Sequence, residues 1–325
     1  MVGDSQIVPT VERQKFEEQA MKIVIAGGTG FIGRHLCHHL VEQQHEVTVL
    51  SRNPSKAKDR FPPDVTLTML DALSWRSIEQ CVNGAHVVIN LMGEPIADAR
   101  WTEARKTLLR QSRIDTTRMM VNAFAMIPSP PKLLINASGI GYYGIHPPGP
   151  VDEFARPGNG FLAELCVDWE TEALKANAHG VRVVCLRTGM VLGKGGGALA
   201  KMLPPFQMFV GGPIRPGTQP VSWIHIDDLA QLIIQVMNHT DCQGPINAVS
   251  PHPVTMQEFC DTLGKVLGRP SWLPVPSWIL KLALGEMATM LTHGQSIKPT
   301  VAHKIGMDYK FPFLEMALES IIGRP

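Results

Sequence analysis

At 325 residues the chain exceeds what one hydrophobic core usually serves, so a large domain and a smaller lobe are expected. Hydrophobic residues make up 44% and charged residues 18%, a globular balance, and the formal net charge of +1 offers no electrostatic footprint for nucleic acid. There is no apolar run of about eighteen residues to span a membrane, and six scattered cysteines without a C-x-x-C pair argue against zinc or a disulfide framework and for a reducing cytoplasm.

Residues 1–20 are polar and charged and lack the apolar stretch of a secretory signal. They read as a loose N-terminal extension or a misassigned start, with the fold beginning at Met21. Ile23, Val24, Ile25 and Ala26 then form the short apolar run of a strand buried on both faces. Glycines follow at once: Gly28, Gly30 and Gly33 satisfy G-x-G-x-x-G, while Gly27, Gly30 and Gly33 give G-x-x-G-x-x-G. Glycine allows the tight turn, the approach of backbone N–H groups to a pyrophosphate and the close packing of helix on strand. The helix starting near Phe31 turns its positive end toward the phosphates.

A second buried strand, Glu46 to Leu50, completes a βαβ unit, the context that makes the glycine pattern a dinucleotide site. Ser51-Arg52 stands where an NAD site usually has Asp or Glu for the ribose 2′-OH. A guanidinium suits a 2′-phosphate, so the expected cofactor is NADP(H). Asn53 to Pro63 reads as a short helix and loop, and Val65 to Leu70 as a third strand. Asp71 at its end is either a contact for the adenine amino group or the N-cap of a helix over Ser74 to Cys81.

His86 to Asn90 is a fourth strand turning at Leu91-Met92-Gly93, and Trp101 to Phe124 a long helix. Arg100, Arg105, Lys106 and Arg110 on that helix read as a solvated basic face. Leu133 to Ser138 is a fifth strand, followed by Gly139 to Gly144, a Pro/Gly loop over Ile145 to Gly160, a helix over Phe161 to Ala178 and a sixth strand over Val181 to Arg187. This alternation predicts an α/β fold, a Rossmann-type doubly wound parallel sheet, carried by residues 21–192 and about 223–250. Residues 193–222 and 251–325 are expected to form a smaller C-terminal substrate lobe, with helices over Leu199 to Phe209, Thr255 to Leu267 and Trp278 to Leu291. Asp227 or Asp228 is the expected N-cap of a helix after Trp223-Ile224-His225.

Three further features invite chemistry. His35, His38 and His39 share a helix at spacings of three and four, but no carboxylate or cysteine stands nearby in the chain at ligand spacing, so they read as a solvated face and no metal is expected. Lys194 to Gly197 is either a phosphate cradle or a flexible connection. His225, between two isoleucines, reads as a structural histidine.

Gly27 to Gly33, Asn90 to Gly93, Ser138 to Gly144 and Trp223 to Asp228 together resemble an extended short-chain dehydrogenase/reductase. More narrowly, Leu91 to Ile96, Ser112-Arg113, Tyr142-Tyr143-Gly144, Arg187 to Gly193 and Met202 to Phe206 resemble the atypical branch called the epimerase family, from Met21 to about Phe313. The resemblance implies NADP(H) bound on Gly27, Thr29, Gly30, Phe31, Ile32 and Gly33, with Ser51, Arg52, Leu91, Met92, Gly93 and Arg113 as further contacts. Its usual Tyr-x-x-x-Lys pair, in which a lysine lowers the tyrosine pKa for proton transfer, is missing: no tyrosine lies between Gly144 and Arg187. Ser138 to polarise a carbonyl and Tyr143 to donate a proton are the remaining catalytic candidates; the alternative is that Ser138 bonds backbone or cofactor and the tyrosines pack over the nicotinamide. The expected function is that of an NADP(H)-dependent oxidoreductase or epimerase-like enzyme acting on a small carbonyl, hydroxyl or nucleotide-sugar compound. The alternative is a non-catalytic NADP(H)-sensing regulator. A homodimer is expected from the fold alone, with no nucleic-acid or membrane partner.

Overall fold

The computed structural model describes residues 20–70, 75–145 and 149–323. The expected loose extension over residues 1–19 and both readings of Asp71 lie outside the described residues. The apolar runs become one seven-stranded parallel sheet: β1 (Lys22–Ala26), β2 (Glu46–Ser51), β3 (Thr66–Met69), β4 (Val87–Asn90), β5 (Leu133–Gly139), β6 (Arg182–Thr188) and β7 (Gly244–Ala248). The principal helices are α1 (Phe31–Glu42), α2 (Trp75–Val82), α3 (Glu103–Met126), α4 (Phe161–Leu174), α5 (Gly197–Gln207), α6 (Ile226–Asn238), α7 (Met256–Leu267) and α8 (Leu314–Ile322).

Strand order across the sheet is 3-2-1-4-5-6-7, so the winding reverses between β1 and β4. Open α/β sheets collect ligands at the carboxyl ends of the strands at this point. Alternation along each strand gives the sheet two apolar faces. Ile23, Ile25, Val49 and Ile89 join Leu36 and Leu40 of α1 and Leu229 and Ile233 of α6 on one face. Val24, Ala26, Val88 and Leu134 meet Ile78 of α2 and Met120 and Phe124 of α3 on the other. A separate core holds the remaining elements: Leu199 and Phe206 of α5, Trp223, Phe259 and Leu263 of α7, and Leu314 and Leu318 of α8.

Several boundaries differ from expectation for local reasons. Thr102, not Trp101, opens the long helix, because its side chain accepts from the Arg105 N–H. The helix expected to Ala178 is α-helical to Leu174 and finishes as a 3-10 turn over Lys175–His179. The helix expected over 278–291 breaks after Leu284, where Gly285 has a φ of +62° that helices do not contain. The cap of α6 is His225 rather than either aspartate: its Nδ1 accepts from the Asp227 N–H at 3.1 Å. Asp228 instead accepts from the backbone N–H groups of Lys310 and Phe311 and fastens the C-terminal segment.

Candidate functional site

The turn after β1 is made from the absence of side chains. Gly27 has a φ of +76°, and a Cβ there would stand 2.6 Å from the Leu91 carbonyl carbon at the end of β4. A Cβ on Gly33 would stand 2.5 Å from Gly28 Cα, so α1 rests directly on the turn. Gly30 is exposed and caps α1 without a side-chain hydrogen bond, leaving the amides of the first turn free for an anion. Thr29 is half-buried and its carbonyl accepts from Arg34 at 2.7 Å, which fixes the loop's outer edge. These features fit a dinucleotide pyrophosphate: a cradle that any Cβ would fill, beside open N–H groups.

At the end of β2, Ser51 is buried and its Oγ accepts from the Asn53 N–H at 3.1 Å, while Arg52 is exposed. Across the switch point, Leu91, Met92 and Gly93 are held by fully buried Asn90, whose Oδ1 accepts from the Met92 N–H at 3.2 Å. Asn90 in turn donates to Thr117 and Asn136 at 2.9 and 2.7 Å. This buried amide positions the turn and was visible in the sequence only as a strand-end polar residue.

Arg113 packs against the same turn. Its guanidinium donates to the carbonyls of Glu94 and Leu109 at 2.9 and 3.2 Å and lies under Gly93, where a Cβ would come 2.9 Å from Cζ. Arg105 and Lys106 are not the solvated residues expected. Arg105 donates to the Pro95 carbonyl and pairs with Glu94, and Lys106 pairs with Glu286, tying α3 to the 3-10 turn Gly285–Ala288. Arg110 pairs with Asp168 on α4.

The end of β5 carries a buried polar network. Ser138 Oγ donates to Glu170 Oε1 at 2.7 Å, and Arg187 donates to both Glu170 oxygens at 2.8 Å. Burial pulls the Arg187 pKa down, but the Glu170 carboxylate outweighs it and holds the guanidinium above its usual range. The 3-10 turn Ile140–Tyr143 swings Tyr143 into the interior, where it is fully buried. Its hydroxyl donates to Asn247 Oδ1 at 2.7 Å and accepts from Arg187 at 3.1 Å, and burial pushes its pKa up to about 12. A buried phenol engaged on both sides does not suit the proton donor expected of Tyr143, and Ser138 is likewise engaged. Tyr142 stays half-exposed, with the Arg187 guanidinium 3.3 Å from its ring centre.

Along α4 the residues four apart that face the β5 end are Leu162, against Gly141, Cys166, which donates to the Gly139 carbonyl at 3.7 Å, and Glu170. A Tyr-x-x-x-Lys pair needs just such a face, and here it is filled by leucine and by a thiol whose pKa burial pushes up to about 11.

The Lys194–Gly197 loop meets this crevice at Phe31. A Cβ on Gly193, Gly196 or Gly197 would stand 2.8, 2.4 or 3.2 Å from its ring, so the Lys194–Gly197 loop is a fitted cover for an aromatic wedge. Ile32 packs against the sheet core instead of facing the loop. His225 is buried, which lowers its pKa to about 4, and its ring lies 4.0 Å from that of Phe311, a structural role as expected. Of the three helix histidines, His35 and His39 are joined by a carboxylate that local spacing could not reveal, Asp227, 2.7 Å from His35.

Comparison with known proteins follows the same outline. The chain is 42% identical over 328 residues to the Arabidopsis thaliana epimerase family protein SDR39U1 homolog, chloroplastic, covering 99% of this chain and 92% of that one. A crystal structure of human epimerase family protein SDR39U1 (isoform 2) with NADPH superposes with a TM-score of 0.83 at 34% identity, over 93% of this chain and 99% of that one. A nucleoside-diphosphate sugar epimerase from Corynebacterium glutamicum superposes with a TM-score of 0.75 at 28% identity, over 95% of this chain and 59% of that one. Residues 275–321 match a domain of unknown function, DUF1731. Residues 23–248, from the glycine turn to the last strand of the sheet, match the NAD dependent epimerase/dehydratase family, and the chain belongs to that family.

Proposed function

We propose that this protein binds NADP(H) in the crevice between the ends of β1 and β4 and acts as an oxidoreductase or epimerase-like enzyme on a small carbonyl or hydroxyl compound, nucleotide-linked sugars included. The observation that carries this reading is the glycine cradle: Gly27 and Gly33 leave no room for a Cβ, and the helix they support keeps its first-turn amides free. Gly27 to Gly33 would hold the pyrophosphate. Arg52 would take the 2′-phosphate and Ser51 would shape the bend that presents it. Leu91, Met92 and Gly93 would line the opposite wall, with Arg113 packed against Gly93 as a further contact. NADPH in the human relative and the sugar-nucleotide epimerase likeness support the cofactor and the substrate class.

Bound nicotinamide supplies the hydride. Ser138 and Tyr143 act on this reading as positioning residues that hold the β5 end through Glu170, Arg187 and Asn247. Half-exposed Tyr142 is the hydroxyl left to meet substrate. The compartment we assign is the cytoplasm, on six free cysteines. No helix among the described residues is long and apolar enough to cross a membrane.

The filled Leu162 and Cys166 face favours a second reading, in which the protein binds NADP(H) as a signal without catalysis. Fluorescence titration of the purified protein with NADPH and NADH tests the shared premise. Arg52→Asp should weaken NADPH about ten- to hundredfold, the loss of a hydrogen bond to a charged group worth about 1.5–3 kcal/mol, and leave NADH nearly unchanged. Equal loss for both cofactors would remove Arg52 from the site. Turnover of NADPH with any member of a panel of carbonyl compounds and sugar nucleotides selects the enzyme; binding without turnover across the panel selects the sensor.

A further inference from the structure

Beyond the glycine turn, one turn of α1 and the start of α6 bring three donor atoms to a point. His35 Nε2 lies 2.7 Å from Asp227 Oδ1, His39 Nε2 lies 3.1 Å from His35 Nε2, and His39 Nε2 lies 3.8 Å from the same Asp227 oxygen. Hydrogen bonds do not satisfy the two short contacts together. The carboxylate only accepts, so His35 Nε2 must carry its proton and direct it at Asp227. That nitrogen then has no lone pair for a proton from His39 and no second N–H to give it. A cation removes the conflict, because each of the three atoms can present a lone pair to it.

The distances suit such an ion. Tetrahedral coordination with bonds of about 2.0–2.1 Å sets ligands about 3.3 Å apart, and the three observed separations bracket that value. The surroundings sort the ligands as a metal site requires. Glu42 lies 3.8 Å from His39 Nδ1, on the side of the ring away from Nε2, so it does not compete for the cluster. Lys310 approaches the other Asp227 oxygen at 3.5 Å, leaving Oδ1 for the cluster. His225 is excluded as a ligand because its Nδ1 already accepts from the Asp227 N–H. The three side chains are 24–33% exposed, and His35 and Asp227 open onto a cavity of about 680 Å³, so an ion can enter and water can complete its shell.

We propose that His35, His39 and Asp227 form a binding site for one divalent transition cation of the zinc class, clipping α1 to the first turn of α6. Two imidazoles and one carboxylate select that class over magnesium or calcium, which favour all-oxygen shells. None of the three ligands belongs to the glycine cradle, although their cavity is also lined by Phe31, Gly193 and Lys194, and the site does not depend on the protein being an enzyme.

The test uses tag-free, full-length protein stripped with a chelator and titrated with Zn²⁺ by calorimetry, then with Co²⁺ by visible absorption. The expected result is one Zn²⁺ per chain, Co²⁺ bands of a tetrahedral site, and a rise in the thermal midpoint with Zn²⁺. His39→Gln should weaken Zn²⁺ at least tenfold and abolish the midpoint rise, while His38→Gln, on the same helix but outside the cluster, should change neither. Absence of stoichiometric Zn²⁺ binding overturns the proposal, as does unchanged binding in both His39→Gln and Asp227→Asn. Should those variants not fold, the wild-type Co²⁺ spectrum decides: no tetrahedral bands at saturation overturns it.

Discussion

The two ends of the sheet that face the crevice are built on opposite principles. At β1 and β4 the chain makes room: glycines remove side chains, the helix terminus is uncapped, and Asn90 holds the facing turn from below. At β5 and β6 the chain instead pairs side chains with one another: Ser138, Glu170, Arg187, Tyr143 and Asn247 are hydrogen-bonded together in the interior. An open surface with unsatisfied donors waits for a ligand, whereas a saturated network resists one. The glycine cradle and the acid–base apparatus are therefore separable in this fold, and the cradle is intact where the usual tyrosine–lysine pair is missing.

Mutations can break that contrast in order of severity. Arg187→Ala strands the Glu170 carboxylate in the interior and should cost about 3–5 kcal/mol of stability by chemical denaturation. A loss below about 1 kcal/mol would mean that water reaches the network and that it is not closed. Gly33→Ala pushes α1 off Gly28 and should cost about 1–3 kcal/mol while also lowering NADPH affinity, since the first-turn amides move with the helix. Unchanged affinity there would detach the cradle from its helix. Tyr143→Phe removes the bonds to Asn247 and from Arg187 and should cost about 1–2 kcal/mol, with NADPH binding and any turnover retained. Loss of turnover in a folded Tyr143→Phe protein would return Tyr143 to the reacting atoms and erase the contrast.

The open half was largely legible in the sequence and the closed half was not. Glycine patterns, the Ser51-Arg52 bend and the Leu91-Met92-Gly93 turn report local backbone requirements, and local requirements leave marks at short spacing. The network joins residues 17 to 104 positions apart, and nothing in Tyr142-Tyr143 says which ring a 3-10 turn will bury. Asp227 stands 192 positions from His35, so the carboxylate completing the histidine cluster had no local signature either. The strand β7 has no clear signature because Gly-Pro-Ile-Asn-Ala lacks the β-branched run of the other strands and contains a proline. Arg105 and Lys106 were misread as solvated because a charge run says nothing of the carbonyl or carboxylate another segment will bring.

The position of β7 also bears on how the chain comes off the ribosome. Its partner β6 ends at Thr188, yet β7 begins only at Gly244, after the Lys194–Gly197 loop, α5 and α6 have been made. Six strands can assemble during synthesis with β6 as a bare edge, and at about 5–20 residues per second that edge stays unpaired for several seconds. The nascent chain is most exposed to strand-to-strand aggregation in that interval, and the late arrival of Pro245 to Ala248 closes it.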